Sequence, residues 1–61
     1  MDYLNYYRVE VASYALVATD CNVSEAASVA GFNNLSYFIR VFKRHKGITP
    51  GQYIARARTE P

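Results

Sequence analysis

Glycine and proline are scarce in this chain, three and two in 61 residues, and all five lie beyond residue 30. A sheet of many short strands needs turn residues throughout, so the scarcity points to helices joined by short turns. Cysteine occurs once, as Cys21. One thiol closes no internal disulfide and fits a reducing cytosol, so the expected location is cytoplasmic. No apolar run approaches the roughly 20 residues that span a bilayer. The N-terminus carries Asp2 where a secretory signal has a basic run, and no membrane partner is expected. The single histidine, His45, has no second histidine or cysteine at ligand spacing, so no metal or other cofactor is expected. No serine stands in a motif with a base and an orienting group, and no glycine-rich phosphate loop exists. An enzyme is therefore not expected, and no catalytic residue is assigned.

Acidic residues are missing from the whole stretch between Glu25 and Glu60. The net charge is only +2, but it is unevenly spread. Residues 1–30 hold Arg8 against Asp2, Glu10, Asp20 and Glu25, a net of −3. Residues 31–61 hold Arg40, Lys43, Arg44, Lys46, Arg56 and Arg58 against Glu60, a net of +5. A one-sided basic half is the electrostatic footprint of a phosphate-binding surface. A merely solvated basic face has the same composition, so charge alone does not decide.

What is present is globular: 51% apolar and 20% charged residues, enough to exclude disorder and to build one small domain. Val9, Ala12, Leu16 and Thr19 recur in steps of three and four, which predicts a helix over residues 3–18. The same segment carries a second apolar set, Tyr3, Tyr7, Val11, Tyr14 and Ala18, so the helix is apolar on two faces. Ser24 is read as the N-cap of a second helix over 24–30, with Glu25 suited to the helix dipole. Gly31 should end it in the left-handed conformation, with Phe32 as a core anchor. Asn34 caps a third helix over 35–46, whose buried stripe is Leu35, Phe38, Val41, Phe42 and His45. Gly47 ends it. Thr49 and Pro50 open a fourth helix over 50–57, with threonine as cap and proline at the first helical position. The expected core is Leu16, Ala27, Phe32, Phe38, Phe42, Ile48 and Tyr53.

Residues 23–43, VSEAASVAGFNNLSYFIRVFK, form two short helices about a tight turn. Small Ala27 stands four residues before Gly31 and lets the helices approach. This is a helix-turn-helix pattern, whose second helix enters the DNA major groove. The pattern extends further. Ser24-Glu25, Ala27, Gly31-Phe32, Ser36-Tyr37-Phe38, Arg40, Phe42-Lys43, Gly47, Thr49-Pro50 and Tyr53 together resemble the second helix-turn-helix of AraC-type (AraC/XylS) transcriptional regulators. Residues 4–20, LNYYRVEVASYALVATD, resemble that family's long linker helix.

The resemblance implies an all-α, four-helix, homeodomain-like helix-turn-helix subdomain: linker helix over 1–20, helix-turn-helix over 23–46, C-terminal helix over 49–57. The family joins two such units by the linker helix, and residues 2–8 echo residues 52–58. The expectation is thus a chain truncated from a larger regulator, with Tyr3, Tyr7, Val11 and Tyr14 of the first helix left exposed or buried against another copy of the chain. The implied partner is promoter double-stranded DNA, with RNA polymerase as a further one. A small-molecule effector would act only through a domain absent from this sequence.

The resemblance places base contacts at Leu35, Ser36, Tyr37, Ile39 and Arg40. Arg40 is the leading candidate, because a guanidinium bonds guanine O6 and N7 together. Ser36 reaches a base edge or phosphate, while Leu35 and Ile39 offer apolar contact, for example to a thymine methyl. Leu35 fits the core spacing as well. Lys43, Arg44 and Lys46 are expected at phosphates, which position without specifying, and Thr49 at a helix start that offers free N–H groups to another. The alternative is a protein-interaction module that docks an acidic partner or RNA polymerase through the basic half and the exposed tyrosines.

Overall fold

Helix α1 (Tyr3–Ala18) is the longest element, and α2 (Val23–Val29), α3 (Leu35–Lys46) and α4 (Pro50–Thr59) all pack against it. The structure, a computed structural model, describes residues 3–59, and no strand occurs among them. The four expected helices are present, with ends within two residues of the expected ones.

Val9, Ala12, Ser13 and Leu16 form the buried stripe of α1. Ser13 is tolerated there because its hydroxyl donates to the Glu10 carbonyl at 2.9 Å, leaving no polar atom unpaired. Thr19, expected on this stripe, is exposed. The helix ends one residue earlier, and both the Thr19 hydroxyl and its N–H donate to the Ala15 carbonyl, at 2.7 and 3.2 Å. On the second apolar face Tyr3, Tyr7 and Tyr14 are 75%, 67% and 71% exposed, and Ala18 is exposed too. Val11 departs from that expectation: it is half-buried and packs against the core.

The N-cap of α2 is Asn22 rather than Ser24. The Asn22 side chain accepts the Glu25 N–H at 2.8 Å, and the Glu25 carboxylate accepts the Asn22 N–H at 3.0 Å. This reciprocal capping box satisfies two helix-start donors at once, which a cap at Ser24 would forgo. The helix ends in a Schellman turn: the Phe32 N–H donates to the Ala27 carbonyl at 2.9 Å and the Gly31 N–H to that of Ser28 at 3.0 Å. That turn places Gly31 at φ +92°, a conformation strained for any residue with a Cβ.

Asn34 caps α3, accepting the Tyr37 N–H at 3.0 Å. Phe38, Val41 and Phe42 are its buried residues. Leu35, expected in this stripe, is 44% exposed and lines a recess open to solvent beside α2. His45 is half-buried, edge-on to Tyr6 with ring centres 6.0 Å apart. Gly47 ends the helix at φ +82°, its N–H donating to the Lys43 carbonyl at 2.8 Å. Thr49 caps α4 in a second reciprocal box with Gln52.

Aromatic rings form the spine of the core. Phe32 meets Phe38 at 5.0 Å between centres, Phe38 meets Phe42 at 5.7 Å, and Phe42 meets Tyr53 at 5.4 Å. All three pairs are tilted or edge-on, the arrangement the ring quadrupoles favour. Each buried phenylalanine contributes about 1.5–3 kcal/mol by leaving water. Ala12, Ala26, Ala27 and Ala30 complete the core and keep the helices close. Ile48 and Tyr53, expected inside, are half-buried, because both line a recess open to solvent beside Lys46.

Candidate nucleic-acid interface

Helix α3 has two unlike faces. Phe38, Val41 and Phe42 anchor one. Ser36, Ile39, Arg40, Lys43 and Arg44 stand exposed on the other, brought together by their spacing of three and four. Ser36, Arg40 and Lys43 follow one another along it. Leu35 and Tyr37, 44% and 45% exposed, flank its start. Arg40, Lys43 and Arg44 make no ion pair among the described residues. A helix of about 12 Å diameter with its side chains matches the width of a major groove.

The remaining candidates are engaged within the chain. The Tyr37 hydroxyl accepts a hydrogen bond from the Asn5 amide of α1 at 2.8 Å, and the Tyr37 ring lies 6.1 Å from that of Phe32. The Lys46 ammonium donates to both carboxylate oxygens of Glu10, at 3.2 and 3.1 Å. That contact holds the Glu10 carboxyl below its ordinary pKa, with partial desolvation opposing the shift. Thr49 is spent on its cap, and the box with Gln52 leaves the N–H of exposed Gly51 as the helix-start donor of α4.

Sequence reasoning assigned no site role to Asn5, Glu10, Ser24, Ser28 or Asn33. Asn5 and Glu10 tie α1 to opposite ends of α3. Ser24, Ser28 and Asn33 line an open recess of about 330 Å³ beside Leu35, so the polar surface continues from the start of α3 onto α2. The helix-turn-helix geometry was the available signal for the two serines, because the first helix of such a pair crosses the DNA backbone. Among the described residues no group of histidine, cysteine and carboxylate side chains is arranged to hold a metal, and no helix is long and apolar enough to cross a membrane.

Comparison with known proteins agrees with this geometry. The family model described as "Helix-turn-helix domain" matches residues 1–56. The HTH-type transcriptional regulator YpdC of Escherichia coli is 38% identical over 56 residues, covering 92% of this chain and 20% of its own. The transcriptional activator PerA of Escherichia coli is 44% identical over 46 residues, 75% of this chain and 17% of its own. The HTH-type transcriptional activator RhaR of an Enterobacter species is 43% identical over 56 residues, 92% of this chain and 20% of its own. The chain thus spans about a fifth of the length of these relatives, which are named as regulators and not as enzymes. No solved structure matches. With the two-faced α3, the Schellman turn before it and a match over nearly its whole length, the chain belongs to the helix-turn-helix domain family of AraC-type bacterial transcriptional regulators.

Proposed function

We propose that this domain binds duplex DNA by laying α3 in the major groove, as part of a cytoplasmic regulator of transcription. One observation carries the reading. The face of α3 opposite its buried stripe aligns Ser36, Arg40 and Lys43, exposed and without an ion pair among the described residues, directly after a tight helix-turn-helix junction. Arg40 reads a guanine edge through O6 and N7. Ser36 contacts a neighbouring base edge or phosphate, and Leu35 and Ile39 pack on thymine methyls. Lys43 and Arg44 meet phosphates on one side of the groove, and Ser24, Ser28 and Asn33 meet them on the other, where α2 crosses the backbone. Tyr37, held by Asn5, touches the DNA at the start of α3, and the Gly51 N–H beside Thr49 offers a further phosphate contact.

The test is a binding titration with duplex DNA at several salt concentrations. One helix in one groove segment covers few base pairs, so the expected affinity is that of non-specific contact, roughly 10⁻⁴–10⁻⁶ M, falling steeply with salt. Binding that ignores salt would sink the reading. A second reading, docking onto an acidic partner or onto RNA polymerase, is favoured by one feature: Tyr3, Tyr7 and Tyr14 are exposed along α1. It predicts capture of the partner without duplex DNA.

A further inference from the structure

Four cations stand on α3, and the structure treats one of them differently. Arg40, Lys43 and Arg44 are exposed. Lys46 is drawn back along α1, where its ammonium bonds both oxygens of Glu10 and lies 6.0 Å from the centre of the Tyr53 ring on α4. Its side chain is only 23% exposed, against 43% for Glu10. The ammonium is therefore held from two sides, by an anion and by the negative face of a ring.

We infer that Glu10 masks Lys46: by pairing with it across the α1–α3 contact, Glu10 removes one cation from the set that meets DNA phosphate and so sets how strongly this domain grips DNA of any sequence. The inference rests on the DNA-binding reading. Its physical basis is competition. A phosphate contact contributes to affinity by releasing condensed counterions, and each cation so used adds about 0.9 to the slope of log K against log salt. A lysine already neutralised by a carboxylate releases nothing extra when DNA arrives. It would first have to leave Glu10 and expose an unpaired carboxylate to the phosphates. Glu10 is thus a positioning residue, acting on DNA only through the lysine it holds.

The experiment measures that slope with the full chain and a labelled duplex of mixed sequence, between about 50 and 200 mM salt. Circular dichroism confirms the helical fold of each variant. Lys43→Ala should lower the slope by about 0.9, because one cation fewer then meets phosphate. Lys46→Gln should leave it unchanged. Glu10→Gln should raise it by about 0.9, because Lys46 is freed. The double variant Glu10→Gln/Lys46→Gln should return to the wild-type slope. Asp20→Asn adds the same unit of charge in the turn after α1, away from Lys46, and should change nothing. A fall for Lys46→Gln matching that of Lys43→Ala overturns the mask, even if Glu10→Gln fails to fold. So does an equal rise for Asp20→Asn and Glu10→Gln, which would reduce the effect to net charge. Those results leave the DNA-binding reading standing. A wild-type chain with no salt-dependent binding removes both together.

Discussion

The Arg8 guanidinium lies over the Phe32 ring, 6.0 Å from its centre, and its Nε stands 3.5 Å from where a Cβ on Gly31 would be. One side chain of α1 thus covers the turn between α2 and α3. Its aliphatic stem shields apolar surface while its charge faces the ring. Arg8→Ala removes both effects and should cost about 1 kcal/mol. In urea the midpoint of unfolding should fall with its slope unchanged. An unmoved midpoint would show that the stacking contributes nothing.

Phe42 is the middle of the aromatic spine, fully buried between Phe38 and Tyr53. Phe42→Ala leaves a cavity that fixed helices cannot fill and should cost about 3–5 kcal/mol. Domains of this size have little more than that in reserve. The variant should show a far lower thermal midpoint by circular dichroism, or no cooperative transition at all. A normal melt would contradict the assignment of this ring to the core.

Much of the fold was legible because the signals are local. Gly31-Phe32, Asn34 and Thr49-Pro50 mark helix ends by residue type, and the three-and-four spacing of Phe38, Val41 and Phe42 marks the buried face. The misreading at Asn22 was local too: both Asn22 and Ser24 are good caps, and only the glutamate three residues after Asn22 distinguishes them. The site was less legible. Lys46 continues the basic run of α3 in sequence, yet its partner Glu10 is 36 residues away, and Asn5 is 32 residues from Tyr37. Such pairings depend on how helices cross, which periodicity along one helix does not encode. Leu35 had the right spacing for the core but borders the open recess beside α2.

Gly47 and Gly51 make a matched pair with opposite expectations. Gly47 has φ +82° at the end of α3, whereas Gly51 lies in the first turn of α4 with ordinary helical backbone; neither position has a neighbour within 4 Å of an added Cβ. Space is therefore equal and only backbone differs. Gly47→Ala should destabilise by about 1–2 kcal/mol through left-handed strain. Gly51→Ala should stabilise by about 0.4–1 kcal/mol, since alanine loses less freedom on folding. Thermal midpoints moving in opposite directions confirm the conformational account; a shared direction refutes it.

The Glu10–Lys46 pair implies an acid limb in stability. The folded-state pKa of Glu10 is lowered, first by the hydrogen bond from Lys46. A lowered folded pKa means that the unfolded chain binds the proton more readily, so the pair stabilises at pH above the ordinary glutamate value of 4.5 and its contribution is lost as pH falls through the depressed value. Lys46 from α3 and Tyr6 and Ser13 on α1 face this carboxylate, and among them only Lys46 carries charge. Both partners are partly solvated, so the effect should be small. Melting curves between pH 6 and roughly pH 3 should show a shallower acid decline for Glu10→Gln than for wild type. Parallel declines would assign the acid limb to other carboxylates.

Arg40 and Lys43 occupy the same exposed face three residues apart, yet the proposed contacts give them different signatures. A phosphate looks the same at every step of DNA, whereas a guanine edge does not. Lys43→Ala should therefore weaken binding to all duplexes alike and lower the salt slope by about 1. Arg40→Ala should cost about 1–3 kcal/mol on a site selected from a random pool by the wild-type protein, and much less on a scrambled duplex. The selection is done with the wild-type chain at low salt, where phosphate contacts hold a duplex most tightly. Titrating both variants on both duplexes at two salt concentrations separates the roles. Equal losses for Arg40→Ala on the two duplexes would make it a backbone contact. The burden of sequence reading would then fall on Ser36 and Ile39, the other base-contact candidates exposed on that face.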